Sequence, residues 1–114
     1  MKTAELTNAR LDWATARATR KTVRLVRDGG FGIPFGTWYV VTDGGHPYSP
    51  TVQGGVTFKL LDNWITTLCS PRDGYWWAHA GNHLGEGLTP AEAVCRAIVA
   101  SQLGDEVELP LELL

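Results

Sequence analysis

The densest set of groups able to hold a ligand lies in one short stretch, Tyr48-Ser49-Pro50-Thr51-Val52-Gln53-Gly54-Gly55. Tyr48 offers a ring on which a base could stack. Ser49, Thr51 and Gln53 bring hydroxyl and amide groups. Gly54 and Gly55 lack a Cβ, so their backbone N–H groups could approach a phosphate closely. Pro50 keeps the stretch irregular without making it mobile. The pattern is not a P-loop, because the lysine and the glycine spacing of that motif are absent. A rigid turn feeding a strand would use the same residues, so a ligand loop and a structural turn both stay open.

A second cluster is Arg10, Trp13 and Arg17, with the indole flanked by guanidinium groups three residues before and four after it on one helix face. An indole between two cations could grip a nucleobase and its phosphates. The competing reading is a tryptophan packed under a sheet edge with solvated arginines. Arg96 is the only cation in residues 86–114. It would form a salt bridge there, or bind an anion if it faces the Tyr48 loop.

Other chemistry finds little support. His79 and His83 are four apart, but a strand end followed by a glycine-flanked loop does not present them as a helix would, and no carboxylate stands at ligand spacing. Cys69 and Cys95 lack metal-ligand spacing and are expected to be free thiols packed as small apolar groups. No serine sits in a nucleophile elbow. Nothing brings Asp43 and Asp62 together as paired acids. No catalytic residue, metal or cofactor is expected.

The elements that must position these groups follow from composition and periodicity. The chain has 114 residues, a length that suits one domain, and 44% hydrophobic against 19% charged residues argues against disorder. Five tryptophans exceed what so small a core needs, so some are expected at an interface or ligand surface. No stretch is long and apolar enough to span a membrane, and the first residues lack the apolar run of a signal peptide, so a cytoplasmic protein is expected. Residues 1–27 hold seven of the ten cations against Glu5 and Asp12, whereas residues 86–114 hold six acids against Arg96. These segments could face each other, within a chain or between subunits, or the basic one could attract an anion. The sequence pI near 5.8 disfavours binding to long nucleic acid.

A first helix is predicted from Thr7 to about Thr19, with Leu6 and Leu11 as a hydrophobic staple and Leu11, Ala14 and Ala18 as its apolar stripe. Strands are predicted at Thr22–Arg27, Thr37–Thr42, Val56–Leu61 and Tyr75–Ala80. Turns or loops are predicted at Asp28-Gly29-Gly30, the glycine- and proline-rich residues 31–36, Asp43-Gly44-Gly45, residues 46–55, Ser70–Gly74 and Gly81–Gly87. Residues 62–68 read equally as helix or strand. Thr89 to Leu103 has the strongest signals: Thr89 as N-cap, Pro90 at the first helical position, Glu92 completing a capping box, Gly104 at the stop, and Ala91, Val94, Cys95 and Ile98 as a buried stripe. The acidic tail that follows would add an edge strand or a subunit contact. The expected fold is α+β: an N-terminal and a C-terminal helix on one face of an antiparallel sheet of three to four strands, its aromatic other face covered by a partner subunit.

Three segments together carry a family likeness: KTAEL-T-x-A-x-LDWA (Lys2 to Ala14), YSP-x-x-QGG (Tyr48 to Gly55) and TP-x-x-A-x-CR-x-x-VASQLGDEVELP (Thr89 to Pro110). In this order and at this chain length they resemble the NinX-like family of small bacteriophage and prophage proteins. Residues 15–47 and 56–88 lie outside the resemblance. It implies a phage accessory protein but brings no activity with it. Among small early phage proteins that modify host physiology are oligomers that sequester nucleotide immune signals. By that analogy the chain is expected to be a non-enzymatic homo-oligomer binding a nucleotide-like phosphorylated small molecule. The ligand groups would be Trp13, Arg17, Arg96 and the Tyr48–Gly55 loop. An interaction protein that blocks or adapts a host protein is the alternative, and a weak nucleotide hydrolase the third reading.

Overall fold

The computed structural model describes residues 1–27 and 37–114. The predicted turn at Asp28-Gly29-Gly30 and the irregular segment 31–36 lie outside the described residues. The fold is α+β, with three α-helices, α1 (Asn8–Ala18), α2 (Gly54–Trp64) and α3 (Pro90–Leu103). Strands β1 (Val23–Val26) and β2 (Tyr39–Thr42) form one antiparallel pair. Strands β3 (Thr67–Arg72), β4 (Tyr75–Ala80) and β5 (His83–Gly87) form an antiparallel sheet in that order. Two sheets therefore replace the single one expected. Among the described residues no helix is long and apolar enough to cross a membrane.

The structure is organised around α3. Its start is the predicted one: the Thr89 hydroxyl accepts from the Glu92 N–H at 3.2 Å, and Pro90 takes the first turn, where its missing N–H costs nothing. The Glu92 carboxylate reaches back one residue further than a capping box requires, accepting from the Leu88 N–H at 3.3 Å. Gly104 ends the helix at φ +90°, a backbone angle suited to glycine. The expected one-sided stripe is too narrow, however. Ala93, Val94, Cys95, Ala97, Ile98, Val99 and Ala100 are all buried, as in a helix enclosed on nearly every side. One side of α3 packs on β4 and β5, and α1 and α2 pack elsewhere on it. Thus α1 lies against α3 and β2 rather than beside α3 on a common sheet face.

The contact of α3 with β5 is closer than any residue with a side chain would permit. A Cβ placed on Gly85 would lie 2.2 Å from the Ala97 nitrogen and 2.3 Å from the Ala93 carbonyl oxygen; on Gly87 it would lie 2.6 Å from the Glu92 Cβ. These glycines alternate with exposed Leu84 and Glu86, the two-residue period of a strand. The predicted 81–87 loop is therefore wrong from His83 onward. Its glycines mark a strand that a helix backbone touches, and only Gly81-Asn82 turns the chain.

Three further expectations change. Val56–Leu61 is helical, within α2; Thr57, Leu60, Leu61 and Trp64 recur at helical spacing and turn toward the interior. The predicted 70–74 turn shrinks to Asp73-Gly74, because β3 continues to Arg72 with a register shift between Cys69 and Arg72 that accommodates Pro71. Thr7 does stand at the N-cap of α1, with Leu6 and Leu11 both fully buried, but its side chain makes no cap hydrogen bond. The tail pairs with the chain start rather than with a sheet. Lys2 bridges Glu106, and the Thr3 N–H donates to the Asp105 carbonyl at 2.8 Å.

Gly85→Ala is expected to destabilise the fold by about 3 kcal/mol, the upper part of the usual overpacking range, because backbone atoms block the new methyl. Gly55→Ala, where a Cβ meets nothing within 4 Å, is expected to stabilise it by about 0.5–1 kcal/mol. Urea unfolding of the two variants beside the parent chain checks both signs.

Candidate functional site

The Tyr48–Gly55 loop spends its polar groups on itself and on α1. The Gln53 side-chain oxygen accepts from the Ser49 N–H at 2.7 Å, and its amide nitrogen donates to the Pro47 carbonyl at 3.3 Å. The Val52 and Gln53 N–H groups both donate to the Ser49 carbonyl. The Thr57 hydroxyl donates to the Pro50 carbonyl. Pro50 is fully buried, and Tyr48 is only 4% exposed, packed with Ala16 and Val40 in the smaller of two apolar clusters. Its ring is not available to stack on a ligand, and the Lys21 ammonium lies 5.4 Å above it. Gly54 and Gly55 are exposed in the first turn of α2. The structural-turn reading accounts for this loop.

Asp12 ties the loop to α1. Its carboxylate is 4% exposed and accepts from the Thr51 N–H at 3.0 Å. Burial pushes the carboxyl up to about 6, against a downward pull from hydrogen bonds with Thr51 and Ser49. The same burial pushes the Cys95 thiol up to about 12, which makes it a poor nucleophile. Asp12 was visible in the sequence only as part of the Leu-Asp-Trp run, and no periodicity marks it as buried.

The second predicted cluster fares differently. Trp13 is half-buried and lines a cleft of about 360 Å³ between α1 and the β1–β2 pair, together with Val23, Arg24, Leu25, Trp38 and Glu112. The Arg17 guanidinium lies over the Trp13 ring at 5.6 Å, and that of Arg27 over the Trp38 ring at 5.7 Å. Arg10 points elsewhere, donating to the Leu113 carbonyl at 2.6 Å and to the Leu114 carbonyl at 3.3 Å. It thereby anchors the 3₁₀ turn Leu111–Leu113, which carries Glu112 into the cleft. Trp38, Arg24 and Glu112 were not singled out from sequence. The available signals were the tryptophan surplus and the exposed arginine of the alternating Thr22–Arg27 strand.

Arg96 takes the salt-bridge reading and more. Its guanidinium donates to the Leu6 carbonyl at 2.9 Å and 3.1 Å, to the Glu86 carbonyl at 2.7 Å and to the Glu92 carboxylate at 3.3 Å. It lines a separate groove beside β5 and does not join the Tyr48 loop or the Trp13 cleft. On the outer sheet face His79 meets Trp77 edge-on at 5.1 Å. Among the described residues no three His, Cys, Asp or Glu side chains are placed to share a metal. Of the predicted ligand groups outside the Tyr48–Gly55 loop, Trp13 and Arg17 come together and Arg96 stands apart, while Trp13 also packs against the cluster that holds Tyr48.

No family model matches the chain, and no curated protein matches it.

Asp12 gives a pH signature. Its native pKa of about 6 lies above its ordinary value of 3.8, so the native state holds the proton more tightly. Its contribution to stability is full below pH 3.8, falls as pH rises to about 6, and is flat above that. The span corresponds to about 3 kcal/mol. Denaturant unfolding of Asp12→Asn at pH 4 and pH 7 is expected to lose this slope relative to the parent.

Proposed function

We propose that the chain is a non-enzymatic binding protein that sequesters a small nucleotide-like, phosphorylated molecule in the Trp13–Trp38 cleft. The observation that carries this reading is the pairing of two indoles in one cleft, each with an arginine over its ring, and with Arg24 in the wall. Aromatic rings accept the flat face of any base, with stacking worth about 1–3 kcal/mol per base. Guanidinium groups at the same place match phosphate oxygens in a fixed fork. Beside the resemblance to small phage proteins, this chemistry suits removal of a nucleotide immune signal from an infected bacterium, with the chain acting as a homo-oligomer.

Calorimetry and tryptophan fluorescence with cyclic dinucleotides and with cyclic and linear ADP-ribose derivatives test the reading. Binding of at least one is expected, and Trp38→Ala or Arg24→Gln should weaken it about tenfold or more. The ligand should be recovered intact after the complex is denatured. No heat and no quenching from the folded chain with any of these ligands would sink the proposal, and cleaved ligand would replace sequestration with hydrolysis.

A further inference from the structure

The groove beside β5 has about 680 Å³ of volume, well above the Trp13 cleft and within the range of binding sites. Its floor is the strip of α3 that carries Glu92, Arg96 and Ala100. One wall is β5, and the other is the chain start near Lys2 with Asp105 and Glu106. Because the sheet order is β3-β4-β5, β5 is an edge strand among the described residues, with one ladder unpaired by any of them.

The side-chain hydrogen bonds reveal which backbone groups face the groove. Antiparallel pairing turns alternate residues toward and away from the neighbour. Arg96 holds the Glu86 carbonyl, and Glu92 accepts from the Leu88 N–H, so Leu84, Glu86 and Leu88 form the set that faces away from β4. Arg96 and Glu92 cover the edge at its C-terminal end, as charged side chains commonly do. Nearer the hairpin, the N–H and carbonyl of Leu84 and the N–H of Glu86 continue the same outward row.

The side chains around this row have a definite character. Leu84 is 47% and Leu88 74% exposed, and with Glu86 between them they form an apolar–acidic–apolar row on one sheet face. Glu92 is matched by Arg96 at 3.3 Å, and Glu106 meets the Met1 ammonium at 3.8 Å. Glu86 and Asp105 then stand against Lys2 alone among the remaining lining charges. An incoming segment should therefore be extended, with an apolar, a basic and an apolar residue at every second position so that the three share the face of Leu84, Glu86 and Leu88.

We propose that this groove is a docking site for such a segment of a partner protein, which adds to β5 as a further strand. Strand addition draws affinity from main-chain hydrogen bonds and specificity from alternate side chains. Leu84 supplies both of its backbone groups to the new ladder, Leu84 and Leu88 supply the apolar contacts, and Glu86 with Asp105 selects positive charge. The site shares no residue with the Trp13 cleft and does not depend on a nucleotide being bound there.

Amide chemical shifts of the full chain, titrated with the capped six-residue peptide valine-serine-lysine-serine-valine-serine, test the proposal. Shifts at residues 84–88 are expected. The same peptide with glutamate in place of lysine should bind at least about tenfold more weakly, as should the Glu86→Lys chain toward the lysine peptide. Glu86 has an exposed side chain that accepts from the Tyr75 hydroxyl, and Arg96 holds only its main-chain carbonyl, so that variant gives up one exposed hydrogen bond and should stay close to the parent's thermal unfolding. Alternate N-methylation of the lysine peptide, which removes ladder donors, should abolish the shifts. Perturbation confined to other residues would overturn the proposal, as would equal binding of the two charge types or an undiminished response to the methylated peptide. Concentration-dependent shifts at residues 84–88 without peptide would assign the groove to a second copy of the chain and overturn it too.

Discussion

The rest of the structure depends on the main-chain contact between α3 and β5. Gly85 and Gly87 present bare backbone, and α3 meets them with Ala93 and Ala97. With no side chains between them, helix and strand approach to a distance that neighbouring residues must then satisfy. The helix sinks into the sheet, and its flanks become reachable by α1 and α2. This accounts for an α3 that is buried nearly all round and rich in alanine. A larger residue at 93 or 97 would push the helix away from β5, and with it the elements packed on its other sides.

The same closeness explains what Arg96 does. Seated on α3 beside the β5 edge, it reaches strand, helix and Leu6, just ahead of the α1 cap, with one planar group. A lysine would offer its donors from a single nitrogen, whereas Arg96 spreads them over three to meet the Leu6 and Glu86 carbonyls and the Glu92 carboxylate. The cation that looked free for an anion in an acidic region is thus a fastener among three segments. Asp12 is its counterpart on the other flank of the core, a buried acid fastening the 48–53 loop to α1. In both places a charge flagged by residue type is used to hold main chain in position.

How much of this was legible depended on whether a signal was local. The start and stop of α3 were, because capping is written in consecutive residues and Thr89, Pro90 and Gly104 act within one turn. The strands of residues 22–27, 37–42 and 75–80 were also legible in alternation, as was α1 in Leu11, Ala14 and Ala18. What failed depended on partners distant in the chain. The glycines of β5 read as a loop because their helical neighbour lies several residues further on. The run Val56–Leu61 has strand-forming residues and begins after two helix-weakening glycines, yet burial of Thr57 and Leu60 makes it helical. The candidate site divided along the same line. Trp13 with Arg17 was readable from helix spacing, while the cleft that Trp38 and Glu112 complete needs three separate segments. The Tyr48 loop misled because its hydroxyls and amide resemble ligand groups until the Asp12 carboxylate and the main-chain atoms that already occupy them are known.

The order of elements along the chain has a consequence for synthesis. The helix that α1, α2, β4 and β5 all lean on follows every one of them. A growing chain therefore holds the smaller apolar cluster between α1 and β2, but the larger one cannot close until residues 90–103 have left the ribosome. Closure of that core waits for α3, with Leu6 and Thr3 drawn in from about a hundred residues away by Arg96 and the backbone near Gly104.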